Sequence, residues 1–207
     1  MAIFIVFSVI YLITLFFKQG IFQAVMKSCL MPLLVLMYIF GAENIFWLII
    51  AALLLGCAGD IFLLRIKDLR FFRLGLVSFL LGHVCYIAAL VIFARPFNLT
   101  VLAVSLVVAI ALEYFMVKFV NPVKEMKIPV IVYGAIIMGM VIFTLQVFLK
   151  HGSPSGSFIL AGGLCFLVSD SALARFTFGT KPKYGDFIVM ITYIAAQFFI
   201  TLGFCGL

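Results

Sequence analysis

Long apolar runs separated by short polar breaks are the feature that most limits what this chain can fold into. Breaks at charged residues, glycine and proline leave eight mainly apolar stretches of sixteen to twenty-two residues. A helix needs about 20 mostly apolar residues to cross a bilayer. We therefore expect an all-α polytopic membrane protein of about eight transmembrane helices with short loops. The predicted spans are 2–17, 26–41, 45–64, 74–93, 98–117, 128–149, 157–174 and 186–205.

The composition argues against a water-soluble fold. The chain is 67% hydrophobic and 10% charged, whereas soluble domains average about 45–50% apolar and about 25% charged. A soluble fold of this size has no interior large enough for that much apolar surface, but a bilayer solvates it. The predicted loops leave no room for a separate soluble domain, so we expect one transmembrane domain over residues 1–207. The run 2–17 has no basic start or small-residue cleavage site and is expected to be the first span.

Basic residues alternate between successive loops. With Lys27 counted at the inner edge of the second span, the loops after the first, third, fifth and seventh spans hold twelve of the fourteen lysines and arginines. The other loops hold only Arg95 and Lys150. The positive-inside rule places these four basic loops in the cytoplasm and both termini on the opposite side. The net charge of +7 is therefore a topology signal, and we expect no nucleic-acid partner. The twelve residues are Lys18, Lys27, Arg65, Lys67, Arg70, Arg73, Lys118, Lys124, Lys127, Arg175, Lys181 and Lys183.

Two aspartates lie inside predicted spans. Asp60 and Asp170 each come four residues before the predicted cytoplasmic end of their span, so we expect them at the same depth. Ionisable residues at such positions usually face a protein interior or a wet cavity, since an aspartate at a helix centre costs about 2.5–3.5 kcal/mol on insertion scales. Either aspartate alone could pair with Arg65 or Arg175 at the interface, but their matched depth favours a shared functional role.

Other polar side chains fall in the same half of the membrane, which predicts one cavity open to the cytoplasm. His83 and Tyr86 share a face of the fourth span, and Tyr193 and Gln197 share a face of the eighth. Taken singly, each is also compatible with a hydrogen bond between packed helices. The presence of Glu113 near the inner end of the fifth span is also accounted for by an ion pair with Lys118. The remaining polar residues of the set are Lys27, Tyr133 and Ser169.

Four stretches of the sequence carry distinctive motifs, namely Gly59–Leu64, Gly82–Tyr86, Phe166–Ser171 and Thr192–Gln197. Together they resemble a known family, the YhhN-like membrane proteins, which includes the animal lysoplasmalogenases. Lys27 before Pro32 and Tyr133 are similar to further signatures, although here the lysine and proline are separated, whereas the family pattern sets them side by side. The resemblance covers nearly the whole chain in the family's order. It implies eight helices and hydrolysis of the vinyl ether bond of a lysoplasmalogen to a fatty aldehyde and glycerophosphoethanolamine or glycerophosphocholine.

This reaction needs an acid for the alkene carbon, an anion beside the cation that develops, and a base for water. Two carboxyl groups, one protonated and one ionised, supply all three, as in glycoside hydrolysis. We expect Asp60 and Asp170 to be catalytic, without a metal or cofactor, in roles that stay open, and their carboxyls must approach each other. We expect Lys27 to bind the phosphate of the lipid substrate. The expected lining and orienting residues are His83, Tyr86, Tyr133, Ser169, Tyr193 and Gln197.

Other functions would use parts of the same residue pattern. A small-molecule or proton-coupled transporter could use the same carboxylates, although the spans show few glycine or proline interruptions and no internal repeat. An intramembrane aspartyl protease usually has Gly-x-Gly-Asp, where this chain has Cys57-Ala58-Gly59-Asp60. A histidine-rich zinc site is excluded because only His83 lies in a span, while a metal bound by His83 and the two aspartates stays open. The oligomeric state stays open, and we expect a bacterial inner membrane.

Overall fold

The structure, a computed structural model, describes residues 1–17, 20–65, 68–152 and 154–207. Within these ranges the chain forms eight α-helices and no strand, which confirms the predicted all-α class. Lys18 and Lys67, two members of the predicted basic loops, lie outside the described residues. The helices are α1 (Ala2–Thr14), α2 (Ile21–Gly41), α3 (Trp47–Leu63), α4 (Leu69–Ala94), α5 (Leu99–Val120), α6 (Lys124–His151), α7 (Pro154–Phe178) and α8 (Gly185–Cys205).

Six of these helices, α2 and α4 to α8, are long and apolar enough to cross a membrane. The helices α1 and α3 are apolar but shorter, with 13 and 17 residues. The chain is therefore an integral, multi-pass membrane protein. The count of eight spans and the sidedness of the termini stay predictions.

The helices α4 and α5 extend past their predicted spans, because polar residues rather than the ends of the apolar run mark where they begin or end. Before α4, Asp68 accepts a hydrogen bond from the backbone N–H of Arg70 at 2.9 Å. Before α5, the Asn98 side chain accepts one from the N–H of Val101 at 3.1 Å, and Asn121 ends that helix in a left-handed conformation. Basic residues that the sequence placed in loops therefore lie in end turns of helices, namely Arg70, Arg73, Lys118, Lys124, Lys127 and Arg175.

The predicted second span was too short. Since α2 begins at Ile21, Lys27 lies in its second turn and Pro32 lies in its interior. Proline has no N–H, so the carbonyl of Ser28, four residues earlier, loses its helical donor. The thiol of Cys57 on α3 lies 3.3 Å from that carbonyl oxygen and donates to it. The Cys57 thiol of the neighbouring helix thus donates to the carbonyl oxygen that Pro32 leaves without a helical donor.

The described chain divides into two compact units. The first comprises Met1–Ala89 with Phe204–Leu207, and the second comprises Leu90–Gly203. In the first unit α2 packs against α1 and α3, and fully buried leucines such as Leu34 and Leu53 form its core. In the second unit α5, α6 and α7 pack against one another. A single domain over residues 1–207 stays a prediction.

Candidate active site

Asp60 lies where α3 and α4 approach closely in the first unit. A Cβ atom on Gly59 would come within 2.9 Å of three atoms of the Phe79 ring, so this ring packs directly on the backbone beside Asp60. Ser78 joins the same two helices, because its hydroxyl donates to the carbonyl of Leu55 at 2.8 Å. Small and hydroxyl side chains at this contact therefore determine how α4 faces the aspartate.

Asp60 forms an ion pair with Lys27, which its sequence position did not predict. The Lys27 ammonium lies 3.2 Å from Oδ1 of Asp60, and the two side chains are only 15% and 2% exposed. Each charge offsets the desolvation of the other at this depth. Arg65, the interfacial partner considered for Asp60, lies 5.0 Å above the Phe71 ring. The predicted role of Lys27 in phosphate binding stays a prediction.

His83 and Tyr86 are buried on α4, 3% and 1% exposed. With Phe79 they follow the spacing i, i+4 and i+7, so all three lie on the helix face that meets Gly59. Nδ1 of His83 lies 2.8 Å from the carbonyl oxygen of Phe79. A neutral imidazole that donates from Nδ1 presents Nε2 as an acceptor. The shared face predicted for His83 and Tyr86 is confirmed.

Asp170 lies on α7 in the second unit and meets Tyr133 of α6. The phenol of Tyr133 donates to Oδ2 of Asp170 at 2.9 Å, and both residues are half-buried. Close packing brings the helices together here, because a Cβ atom on Gly163 would lie 2.7 Å from Oγ1 of Thr144. The guanidinium of Arg175, the residue considered as an interfacial partner, lies 5.2 Å from the centre of the Phe119 ring. Two predicted site residues thus meet across α6 and α7.

The residue before Asp170 ties α7 to α8. Ser169 is 1% exposed, and its hydroxyl donates to the carbonyl of Val189 at 3.1 Å. Farther along the same contact, a Cβ atom on Gly162 would come within 2.9 Å of the backbone of Ile200 and Ala196. Ser169 therefore contacts helix backbone, and the predicted site-lining role of this residue stays a prediction.

Tyr193 and Gln197 form a buried pair on α8. They are 4% and 2% exposed, and the amide of Gln197 donates to the Tyr193 hydroxyl at 3.4 Å. The Tyr193 ring meets Phe166 of α7 edge-on, with ring centres 6.0 Å apart. The shared helix face predicted from the i, i+4 spacing is confirmed, and its orienting role stays a prediction.

The two aspartates have unlike surroundings, each described within its own unit. Asp60 lies beside an ammonium, whereas Asp170 accepts a hydrogen bond from a phenol. Their predicted proximity stays a prediction. In the described part of the chain, no three His, Cys, Asp or Glu side chains are grouped closely enough to hold a metal ion. The ion pair between Lys27 and Asp60 could have been predicted from the sequence. The two opposite charges lie at similar predicted depths on consecutive antiparallel helices.

Comparison with known proteins identifies the family. The model of the YhhN family matches residues 22–204. The human (Homo sapiens) protein Lysoplasmalogenase TMEM86B is 30% identical over 131 residues, which is 62% of this chain and 51% of the relative. The chain thus spans about half the length of the curated relative that it matches, and no solved structure matches it. Since the family match covers most of its length, the chain belongs to the YhhN family.

Proposed function

We propose that this protein is a lysoplasmalogenase-like hydrolase that cleaves the vinyl ether bond of a lysoplasmalogen. The products are a fatty aldehyde and glycerophosphoethanolamine or glycerophosphocholine. The observation that carries the proposal is the 30% identity to a protein named lysoplasmalogenase, within a family match over residues 22–204. The unlike surroundings of Asp60 and Asp170 support it, because the reaction needs an acid and an anion.

The chemistry has three steps. A proton adds to the alkene carbon remote from the ether oxygen, which leaves a cation shared by the other alkene carbon and that oxygen. Water then adds to the cationic carbon and gives up a proton, which forms a hemiacetal. Finally, the bond between the hemiacetal carbon and the glycerol oxygen breaks. The hemiacetal hydroxyl gives up its proton, the glycerol oxygen takes one up, and the fatty chain leaves as an aldehyde. The proton first given to carbon is thus matched by the one that water releases.

We assign the roles of the two aspartates from their partners. Asp60, paired with Lys27, is the ionised carboxylate that stabilises the developing cation. Since the reaction also needs an acid, Asp170 takes that role, and the hydrogen bond from Tyr133 to Oδ2 orients its carboxyl group. After protonating the alkene, the Asp170 carboxylate accepts the proton of the attacking water, as the acid of a retaining glycosidase does in its second step.

The remaining site residues have supporting roles in this proposal. His83 presents Nε2 as an acceptor that can orient water, and Tyr133 holds the Asp170 carboxyl in one orientation. Tyr86, Ser169, Tyr193 and Gln197 line the site, and Lys27 contacts the substrate phosphate in addition to Asp60. The site lies in the cytoplasmic half of a bacterial inner membrane, where a single-chain lipid places its head group at the interface.

Aldehyde release from a lysoplasmenyl-ethanolamine in detergent tests the proposal. We expect release by the wild type and a loss of at least about 100-fold in both Asp60→Asn and Asp170→Asn, the range for removal of a general acid or base. Asp186→Asn is the matched control, because Asp186 is 49% exposed in its pair with Lys181 and should leave the rate unchanged. A double Asp60→Asn and Asp170→Asn variant should lose little more than either single one.

Two outcomes would overturn the proposal. Folded wild type that releases no aldehyde would exclude the reaction, and proton flux in proteoliposomes would then test the transporter. Activity that survives in both single aspartate variants would exclude these residues as the catalytic pair.

A further inference from the structure

Glu113 is an intramembrane carboxyl group that the proposed mechanism does not use. It lies on α5 in the second unit and is half-buried. Its carboxyl group contacts α6 at Gly134, where an added Cβ would overlap both carboxyl oxygens and lie 2.7 Å from Cδ. The absence of a side chain at Gly134 therefore creates the space that the carboxyl occupies. We call this contact the Gly134 seat.

No cation of the described chain compensates Glu113. The nearest basic residue along α5, Lys118, lies with its ammonium 4.3 Å from the centre of the Tyr114 ring. On α7, Arg175 lies over Phe119. Among the described residues Glu113 takes part in no hydrogen bond or ion pair. A carboxylate inside a membrane is costly without a partner, so a bound cationic ligand would stabilise it.

The Gly134 seat lies beside the proposed acid. Gly134 directly follows Tyr133, whose phenol donates to Asp170, so one turn of α6 contacts both Glu113 and the aspartate. In a lysoplasmalogen, glycerol, phosphate and a two-carbon linker separate the vinyl ether from the head-group nitrogen. Their combined length is comparable to the ~10 Å diameter of a helix. A lipid whose vinyl ether is at Asp170 can therefore reach Glu113 with its head group.

We propose that Glu113, on the Gly134 seat, binds the ammonium of the substrate head group and selects lipids that carry one. This inference rests on the proposed function. An ammonium suits a single carboxylate, whereas Ca²⁺ takes six to eight oxygen ligands and Mg²⁺ demands an octahedral set. The described residues offer no group of three metal-binding side chains. Glu113 thus discriminates by head-group charge and takes no part in bond cleavage.

The test uses binding rather than turnover. The probes are saturated 1-O-alkyl lysophospholipids, which lack the alkene, with either an ethanolamine head group or a bare phosphate. Dissociation constants are measured in detergent for wild type, Glu113→Gln, Gly134→Ala and the control Glu125→Gln. Glu125 is an exposed acid in the first turn of α6, so its variant corrects for general electrostatic attraction.

We expect wild type and Glu125→Gln to bind the ethanolamine lipid about tenfold more tightly than the lipid without an amine, as a charge-assisted hydrogen bond predicts. Glu113→Gln should abolish this preference because it removes the charge. Gly134→Ala should abolish it by displacing the carboxyl, which is the mobile end of a flexible side chain, so the helix can accept the methyl group. Its thermal unfolding should match that of wild type.

The outcomes separate this inference from the proposed function. Equal binding of the two lipids by wild type would overturn the inference, and so would a preference that survives in Glu113→Gln. If Gly134→Ala fails to fold, the Glu113→Gln measurement alone decides. Loss of the preference in Glu113→Gln while wild type releases no aldehyde would support an ammonium-lipid site and overturn only the hydrolase. Aldehyde release with no head-group preference would overturn only the ammonium site.

Discussion

Removing Lys27 should destabilise the first unit, because it removes the ammonium that offsets the Asp60 charge in a low-dielectric interior. At the observed 3.2 Å, an effective dielectric constant of 20 gives a gross attraction of about 5 kcal/mol. Desolvation of the two charges offsets much of this attraction. Truncating one partner of a buried pair costs about 3–5 kcal/mol, because it leaves the other charge unpaired. Asp60 can take up a proton, so we expect the lower end, about 3 kcal/mol, for Lys27→Met.

The assay is thermal unfolding in detergent, followed with a thiol-reactive fluorophore that reports exposure of the five free cysteines. At about 2–4 °C per kcal/mol for a chain of this size, Lys27→Met should lower the midpoint by about 6–12 °C. The double variant with Asp60→Asn should recover much of that loss, since no unpaired charge remains. Lys181→Met is the matched control, because its pair with Asp186 is 48% and 49% exposed and such pairs contribute about 0–1 kcal/mol.

The reasoning would be refuted by a Lys27→Met midpoint no lower than that of Lys181→Met. It would also be refuted if the double variant lost as much stability as the two single losses combined. Either result would mean that the pair does not compensate two buried charges.

Three further perturbations follow from single contacts. Tyr133→Phe removes the donor to Asp170, so aldehyde release should fall by about tenfold or more while the unfolding midpoint is retained. Gly162→Ala pushes a methyl group against the α8 backbone and should cost about 1–3 kcal/mol in thermal unfolding. Gly41→Ala is the control and should cost none, because the nearest atom to its added methyl group lies at an ordinary 3.5 Å. Gln146→Leu removes two part-buried hydrogen bonds to the backbone before α5, each contributing about 0.5–1.5 kcal/mol, and should cost about 1–3 kcal/mol in the same assay. An unchanged unfolding midpoint in Gly162→Ala or in Gln146→Leu would contradict the reasoning for that variant.

The helices and the membrane class follow from the sequence because hydrophobicity is a local property. A bilayer accepts only segments that satisfy their own backbone hydrogen bonds, so an apolar run of sufficient length predicts a helix wherever it occurs. Each predicted span corresponds to one of the helices in the described chain. Helix ends were less predictable, because capping residues such as Asp68 continue the helix beyond the apolar run.

The candidate site residues could also be identified from the sequence, because an aspartate in an apolar span stands out whichever way the helix is rotated. Spacing within one helix predicted the shared face of Tyr193 and Gln197, because residues four apart are neighbours on any α-helix. The vinyl ether substrate came from the family resemblance, because no residue spacing encodes a lipid's ether bond.

Only the tertiary structure decided which helices bring their side chains together. The partners Lys27 and Asp60 belong to different helices, as do Tyr133 and Asp170. The thiol of Cys57 that replaces the donor missing at Pro32 also comes from another helix. Such contacts depend on the rotation of each helix about its axis and on its depth beside its neighbour. Close packing at glycines and hydroxyl side chains sets both, and these arise from surfaces far apart in the chain.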